Sequence, residues 1–299
     1  SANVFEYIKH ASDYGITVKG AEADFSAVIA RSRGVADSMS KGVQFLMKKN
    51  KIDVIMGYGK IQPGKKVEVT DADGKATIYE GKNIMIATGA RARALPNIPI
   101  DGEKVIEYRK AMSLEKRPDS MVIIGSGAIG VEFAYVYAAM GTKVTIVEFM
   151  PNIVPVEDED VSKELAKQYK KMGIDILTSS SVESVDTKGK GCKVSVKTPT
   201  GNQDIQCDIV LSAAGVICNL ENIGLEEVGI IVDKGRIPVN AWYETNMPGY
   251  YAIGDVTPGP ALAHVASAEG IICVEKIAGH KTEALDYTNI PGCTYCSPE

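Results

Sequence analysis

Apolar residues recur at near-helical spacing across residues 24–50, where Val28, Ile29, Val35, Met39, Val43, Leu46 and Met47 share one side of a helix. Asp24 precedes them as the expected N-cap. A shorter helix is expected from Ser1 to about Ser12, stopping near Gly15. Strand patterns follow: "DVIMGYG" (53–59), then "KKVEVTDADGKATIYEG" (65–81), in which Asp73-Gly74 marks a hairpin turn. "NIMIATGA" (83–90) is nearly all apolar and reads as a buried strand ending at Gly89. The polar, proline-bearing stretch "RARALPNIPIDGE" (91–103) interrupts the pattern as a linker would. A strand, a helix and a second strand then run from Met121 to Glu148, and a helix over 159–172 closes at Gly173. Three strands are expected between 174 and 212, turning at "KGKG" and "TPTG". "YYAIGDV" (250–256) predicts a strand, and 261–279 a helix closed by Gly279. Helices alternating with strands, plus small antiparallel meanders, predict an α/β protein built on parallel sheets.

Composition narrows the class. At 299 residues there is room for about two domains. A hydrophobic fraction of 45% and a charged fraction of 24% are those of an ordinary globular chain. A net charge of −5 argues against nucleic acid or an anionic membrane as partner. No apolar run reaches the ~18 residues that a membrane span needs. Residues 1–10 lack the charged start, apolar centre and cleavage site of a secretory signal, and look like a helix already under way. Six scattered cysteines fit a reducing, cytoplasmic setting better than a disulfide scaffold. Cys293 and Cys296 form the one close pair. With no second ligand pair nearby they are expected to be two buried strand thiols, and no metal site is expected.

The strand–helix–strand unit at 121–148 carries the strongest chemical signal. Gly125-Ser126-Gly127-Ala128-Ile129-Gly130 lies between the strand "MVIIG" and the helix "VEFAYVYAAM". In such a turn the first glycine permits the bend, the second lets a pyrophosphate approach the backbone, and the third lets helix pack on strand. The helix N-terminus offers free N–H groups and partial positive charge to the phosphates. The second strand, "KVTIVE", ends in Glu148, placed to accept hydrogen bonds from the adenosine ribose hydroxyls. No Lys or Arg occurs between Glu148 and Lys163, so NAD is expected over NADP, whose 2′-phosphate a carboxylate repels.

"NIMIATGA" and "WYETNMPGYYAIGDV" (242–256), flanking this unit, resemble paired motifs of the FAD-dependent pyridine nucleotide–disulfide oxidoreductases. "GAIGVEFA", "GPALAHVASAEG" (259–270) and the terminal 290–299 stretch resemble the dihydrolipoamide dehydrogenases among them, and the likeness covers essentially the whole chain. The resemblance implies that Ala87, Thr88 and Gly89 lie over a flavin nucleotide, that Asp255 meets the ribityl chain, that Ala263 lies close to the flavin with His264 next in sequence, and that Gly59 contacts the adenine end. It also implies that Glu132 lies near the nicotinamide carboxamide, with Val182 and Gly215 lining the nicotinamide nucleotide. One departure stands out: in "AAGVICN" (213–219) Val216 and Cys218 replace the arginine and proline of the G-R-x-P-N found in many relatives.

The implied fold is two Rossmann-like dinucleotide-binding units with the FAD unit split around the NAD unit. The division expected is 1–112 and 241–286 for FAD, 113–240 for NAD, and 287–299 for the start of a dimerisation domain. The implied activity passes electrons from dihydrolipoamide through a disulfide and FAD to NAD⁺, with a homodimeric parent enzyme serving a lipoamide-bearing protein of a 2-oxoacid dehydrogenase or glycine cleavage complex. The sequence holds no CxxxxC dithiol and no glycine fingerprint ahead of Ser1. It is therefore expected to be an inactive internal piece, with no catalytic residue of its own. A non-dithiol NADH oxidase or ferredoxin reductase, and a non-catalytic nucleotide-binding module, are the alternatives.

Overall fold

A computed structural model describes residues 1–299. The chain opens with α1 (Ala2–Lys9) and a 3₁₀ turn over Ala11–Tyr14 that Gly15 ends at φ 72°, and continues into α2 (Phe25–Lys49). Asp24 caps α2 as its position predicts: the Ala27 N–H donates to Asp24 Oδ1 at 3.1 Å. Next come β1 (Tyr58–Gln62), β2 (Lys66–Thr70), β3 (Ala76–Glu80), β4 (Ile84–Ile86), β5 (Ala90–Ala92), β6 (Val105–Ile106) and the single turn α3 (Tyr108–Ala111). The central part holds β7 (Ser120–Ile124), α4 (Ala128–Ala139), β8 (Lys143–Val147), α5 (Glu159–Lys171) and β9 (Asp175–Leu177). After these run β10 (Ser181–Asp186), β11 (Cys192–Thr198), β12 (Gly201–Cys207), β13 (Ile209–Ser212), β14 (Val216–Cys218), β15 (Tyr250–Ala252) and α6 (Ala263–Ile277).

The chain forms two compact units. One gathers residues 1–44, 92–215 and 293–299. At its centre lies a five-stranded parallel sheet in the order β6-β13-β7-β8-β9. Its strands are apolar on both sides, as a doubly covered sheet requires. Met121 and Ile123 of β7, with Val144 and Ile146 of β8, face Val131, Ala134 and Tyr137 of α4. Val122 and Ile124, one residue out of phase, face Cys192, Val194 and Val196 of β11 in the antiparallel meander β10-β11-β12. Ala2 of α1 and Phe25 of α2 join the α4 side, where the Phe25 and Tyr137 ring centroids lie 5.9 Å apart.

The second unit comprises residues 45–91 and 216–292. It holds the antiparallel sheet β1-β2-β3, the parallel pair β15-β4 and α6. Ile84 and Ile86 of β4 pack with Tyr250 and Ala252 of β15, Ile61 of β1 and Ile237.

The α/β class with small antiparallel sheets is as the pattern predicts, and four local expectations are corrected. Residues 53–57 are not a strand: no neighbour pairs with them, and Ile52, Val54 and Met56 are exposed. Between 174 and 212 there are five strands, because 175–177 and 209–212 join the parallel sheet on either side of the meander. The strand at 250–256 stops at Ala252, since Gly254 at φ 70° turns the backbone into a 3₁₀ turn over Gly254–Val256. Cys296 is buried but Cys293 is exposed, and neither lies in a strand.

Ile146 of β8 sits fully buried where the parallel sheet meets α4. Ile146→Ala should cost about 2–5 kcal/mol in a denaturant titration of the chain, through lost transfer energy and the cavity left between sheet and helix.

Candidate functional site

The turn after β7 is built from backbone packed too closely for side chains. Gly125 has φ 98°, and a Cβ there would lie 2.6 Å from the Ala213 carbonyl oxygen. A Cβ at Gly130 would lie 2.1 Å from the Gly125 carbonyl oxygen. Gly127 is different: its φ is −64° and an added Cβ would meet nothing within 4 Å. Space at that point is open although the turn around it is tight. Gly127 caps α4 without a side-chain hydrogen bond, and the first intrahelical bond runs from the Val131 N–H to the Gly127 oxygen at 3.1 Å. The amides of Ala128, Ile129 and Gly130 precede that bond and have no intrahelical acceptor. An uncapped helix end with open space before it can receive an anion. The residues present therefore fit a dinucleotide pyrophosphate.

Glu148 follows β8 and is only 6% exposed. Its Oε2 accepts the Ser126 N–H at 2.7 Å and the Ser126 hydroxyl at 2.6 Å, and its Oε1 accepts the Met150 N–H at 2.7 Å. A buried carboxylate persists only with such donors. The structure thus brings Glu148 and the glycine turn together through Ser126. Glu132 of α4 is half-buried and accepts the Tyr295 N–H at 2.8 Å. Gly215 has φ 95° with its carbonyl accepting the Arg93 N–H at 3.0 Å, and Val182 sits at the irregularity of β10.

In the second unit Ala87, Thr88 and Gly89 follow β4, and their backbone is tied to Asn219. Thr88 Oγ1 donates to the Asn219 oxygen at 2.7 Å, Asn219 Nδ2 donates to the Thr88 oxygen at 3.0 Å, and the Asn219 N–H donates to the Gly89 oxygen at 2.9 Å. Arg91 donates to Asn219 Oδ1 at 2.8 Å and bridges both Glu221 carboxylate oxygens at 3.0 and 2.7 Å. The Arg91 guanidinium draws the Glu221 carboxyl down to about 2. Sequence patterns do not disclose this bracket, because its members are 131 and 128 residues apart in the chain. Cys218, which stands where many relatives have proline, donates its thiol to the Asp255 backbone oxygen at 3.0 Å.

Asp255 is half-buried, and its carboxylate has no protein partner. Beside its turn, α6 starts at Ala263 from Leu262 with no side-chain cap, so free N–H groups and an open carboxylate share this end of the unit. Both suit a hydroxylated, phosphorylated ligand. Buried Glu269 holds the turn by accepting the Gly254 N–H, and its other oxygen accepts the Tyr287 hydroxyl. This support had one faint signal, a glutamate on the inward side of the 261–279 helix. In "GYGK" (57–60) the sterically required glycine is Gly57, where a Cβ would lie 2.6 Å from the Thr70 oxygen. At Gly59 a Cβ would make only an ordinary 3.5 Å contact with Val67.

A parallel sheet whose central strand feeds a glycine turn and an uncapped helix, with an acid after the next strand, defines a dinucleotide-binding α/β protein. The chain belongs to the pyridine nucleotide-disulphide oxidoreductase family, whose model matches residues 6–270. It is 43% identical to a dihydrolipoyl dehydrogenase of Rhizobium etli and 42% identical to one of Zymomonas mobilis, each over the whole of this chain. It covers 66% and 65% of those relatives, so the chain spans about two thirds of the length of the curated proteins it matches. The crystal structure of LpdA from Mycobacterium tuberculosis superposes with a TM-score of 0.91 at 26% identity, over 99% of this chain and 64% of that one. No helix is long and apolar enough to cross a membrane.

The two steric environments in the turn separate folding from binding. Gly130→Ala should lower the melting temperature markedly, because backbone must move. Gly127→Ala should leave it within about 2 °C yet weaken NADH binding at least tenfold, by filling space the pyrophosphate would take. Thermal melts and NADH fluorescence titrations of the same preparations check both; equal melting of the two variants would contradict the assignment.

Proposed function

We propose that this chain is the NAD(H)-binding and partial flavin-binding portion of a dihydrolipoamide dehydrogenase. The carrying observation is the buried Glu148 carboxylate beside the open glycine turn at the uncapped end of α4. In this reading residues 125–130 receive the pyrophosphate and Glu148 accepts a ribose hydroxyl. Glu132, Val182 and Gly215 face the nicotinamide half. Thr88 and Gly89, with Ala87, lie against the flavin nucleotide, together with Asp255, Ala263 and, at the adenine end, Gly59. When bound, FAD and NAD supply the two-electron chemistry that links a dithiol to a hydride acceptor. The protein's own part is orientation. Glu148 selects the cofactor by charge, the α4 amides hold its phosphates, and the Asn219 bracket fixes the backbone at 88–89.

The substrate is a dihydrolipoamide carried on a protein of a 2-oxoacid dehydrogenase or glycine cleavage complex, the working form a homodimer, and the compartment the cytoplasm. Support comes from relatives named dihydrolipoyl dehydrogenase that align over the whole chain, and from the scattered spacing of the six cysteines in the sequence.

The chain titrated with each cofactor should bind NADH at least tenfold more tightly than NADPH; equal or tighter NADPH binding would overturn the cofactor assignment. Glu148→Ala combined with Phe149→Arg should reverse the preference, since repulsion gives way to a phosphate partner. That variant should also melt lower, because the buried Ser126 N–H and hydroxyl lose their acceptor. The full enzyme carrying this chain should reduce NAD⁺ with dihydrolipoamide, and inactivity in that assay would refute the substrate.

A further inference from the structure

We infer that Ser126 is a positioning residue whose hydroxyl fixes the Glu148 carboxylate and thereby sets the preference for NAD(H) over NADP(H). The inference rests on the cofactor reading above, and concerns how that selectivity is produced. Ser126 is 0% exposed, so its hydroxyl is directed into the protein and not at a ligand in the open space before α4. Both of its donors go to one atom: the N–H reaches Glu148 Oε2 at 2.7 Å and the hydroxyl reaches it at 2.6 Å. These two bonds fill the acceptor capacity of Oε2. Oε1 accepts only the Met150 N–H, at 2.7 Å, and so keeps one lone pair free.

The carboxylate is therefore held at three points with a single acceptor position left over. A ribose 2′-hydroxyl can donate to that position. A 2′-phosphate has no proton to offer at neutral pH and meets a negative charge that is unable to swing aside. Backbone donors alone would not hold the group as firmly. The Ser126 and Met150 amides anchor opposite oxygens and leave rotation about the last side-chain bond opposed by two contacts instead of three. The hydroxyl bond is charge-assisted and short, of the stronger class of hydrogen bond.

The test measures binding of NADH and NADPH to the 299-residue chain, its Ser126→Ala variant, and Ser126→Ala placed on Glu148→Ala. Ser126→Ala should weaken NADH about fivefold. NADPH binding should stay unchanged or tighten, so that the ratio of the two dissociation constants moves toward one. On the Glu148→Ala background the serine substitution should change neither constant. A serine that merely supports the fold would weaken both cofactors in parallel, and that result overturns the inference, as does an unchanged ratio. Should the alanine variant not fold, Ser126→Gly removes the same hydroxyl and must shift the ratio in the same direction. Wild-type chain that fails to prefer NADH would count against the cofactor assignment itself; wild-type preference that survives in Ser126→Ala counts against the serine alone.

Discussion

The carbonyl oxygens of Ala213 and Gly125 lie where side-chain carbons would stand on any residue but glycine at positions 125 and 130. That approach of backbone to backbone is the constraint on which the nucleotide-binding unit depends. It lets β13 lie directly beside β7, with Leu211 opposite Ile123 and Ser212 opposite Ile124. It seats α4 against the sheet, so that Val131 and Ala134 become fully buried. It also aims the uncapped end of α4 at open space next to Gly127, the one motif glycine that its surroundings do not require. Close packing and open space are thus divided among three glycines at most five residues apart, and the division follows from distances rather than from the motif string.

Two buried glutamates do parallel work, one in each unit. Glu148 ties itself to the turn after β7 through Ser126, and Glu269 ties itself to the turn after β15 through the Gly254 amide. Each turn follows the C-terminal end of a parallel strand, where α/β proteins place their ligands. Each glutamate is also met by a hydroxyl, from Ser126 and from Tyr287. Burial and the adjoining Glu269 push the Tyr287 hydroxyl well above its ordinary range, so it remains a donor. A buried carboxylate without donors would be costly, and with them it fixes a loop more sharply than an apolar contact could.

The family comparison places these features in a chain that aligns end to end with dihydrolipoyl dehydrogenases yet covers about two thirds of them. The departure at 216 and 218 has a local consequence. Cys218 contributes its thiol to the Asp255 backbone, while Arg91, Asn219 and Glu221 tie the backbone of 88–91 to that of 219–221. The Asn219 end of "AAGVICN" retains a structural task even though Val216 offers no charge.

The sequence by itself determined what depends on neighbours along the chain. The Asp24 cap, the hairpin at Asp73-Gly74, the glycine turn at 125–130 and the acid ending "KVTIVE" are all local in origin. The strands β7 and β8 were legible as apolar runs, but which residues face α4 and which face the meander was decided by the packing, because a strand buried on both faces carries no alternation. Residues 53–57 show the limit: their pattern is that of a strand, but a strand exists only where another strand accepts its hydrogen bonds, and none does. Only the tertiary structure decided that Asn219 would hold Thr88, that Glu269 would hold Gly254, and that Ser126 would spend its hydroxyl on Glu148. Such pairings join residues from 15 to 131 positions apart, and no periodicity encodes them. At Glu148 and Glu269 they arise because buried carboxylate oxygens must find their donors within the protein, whereas the exposed Thr88–Asn219 pair forms where the fold brings two loops side by side.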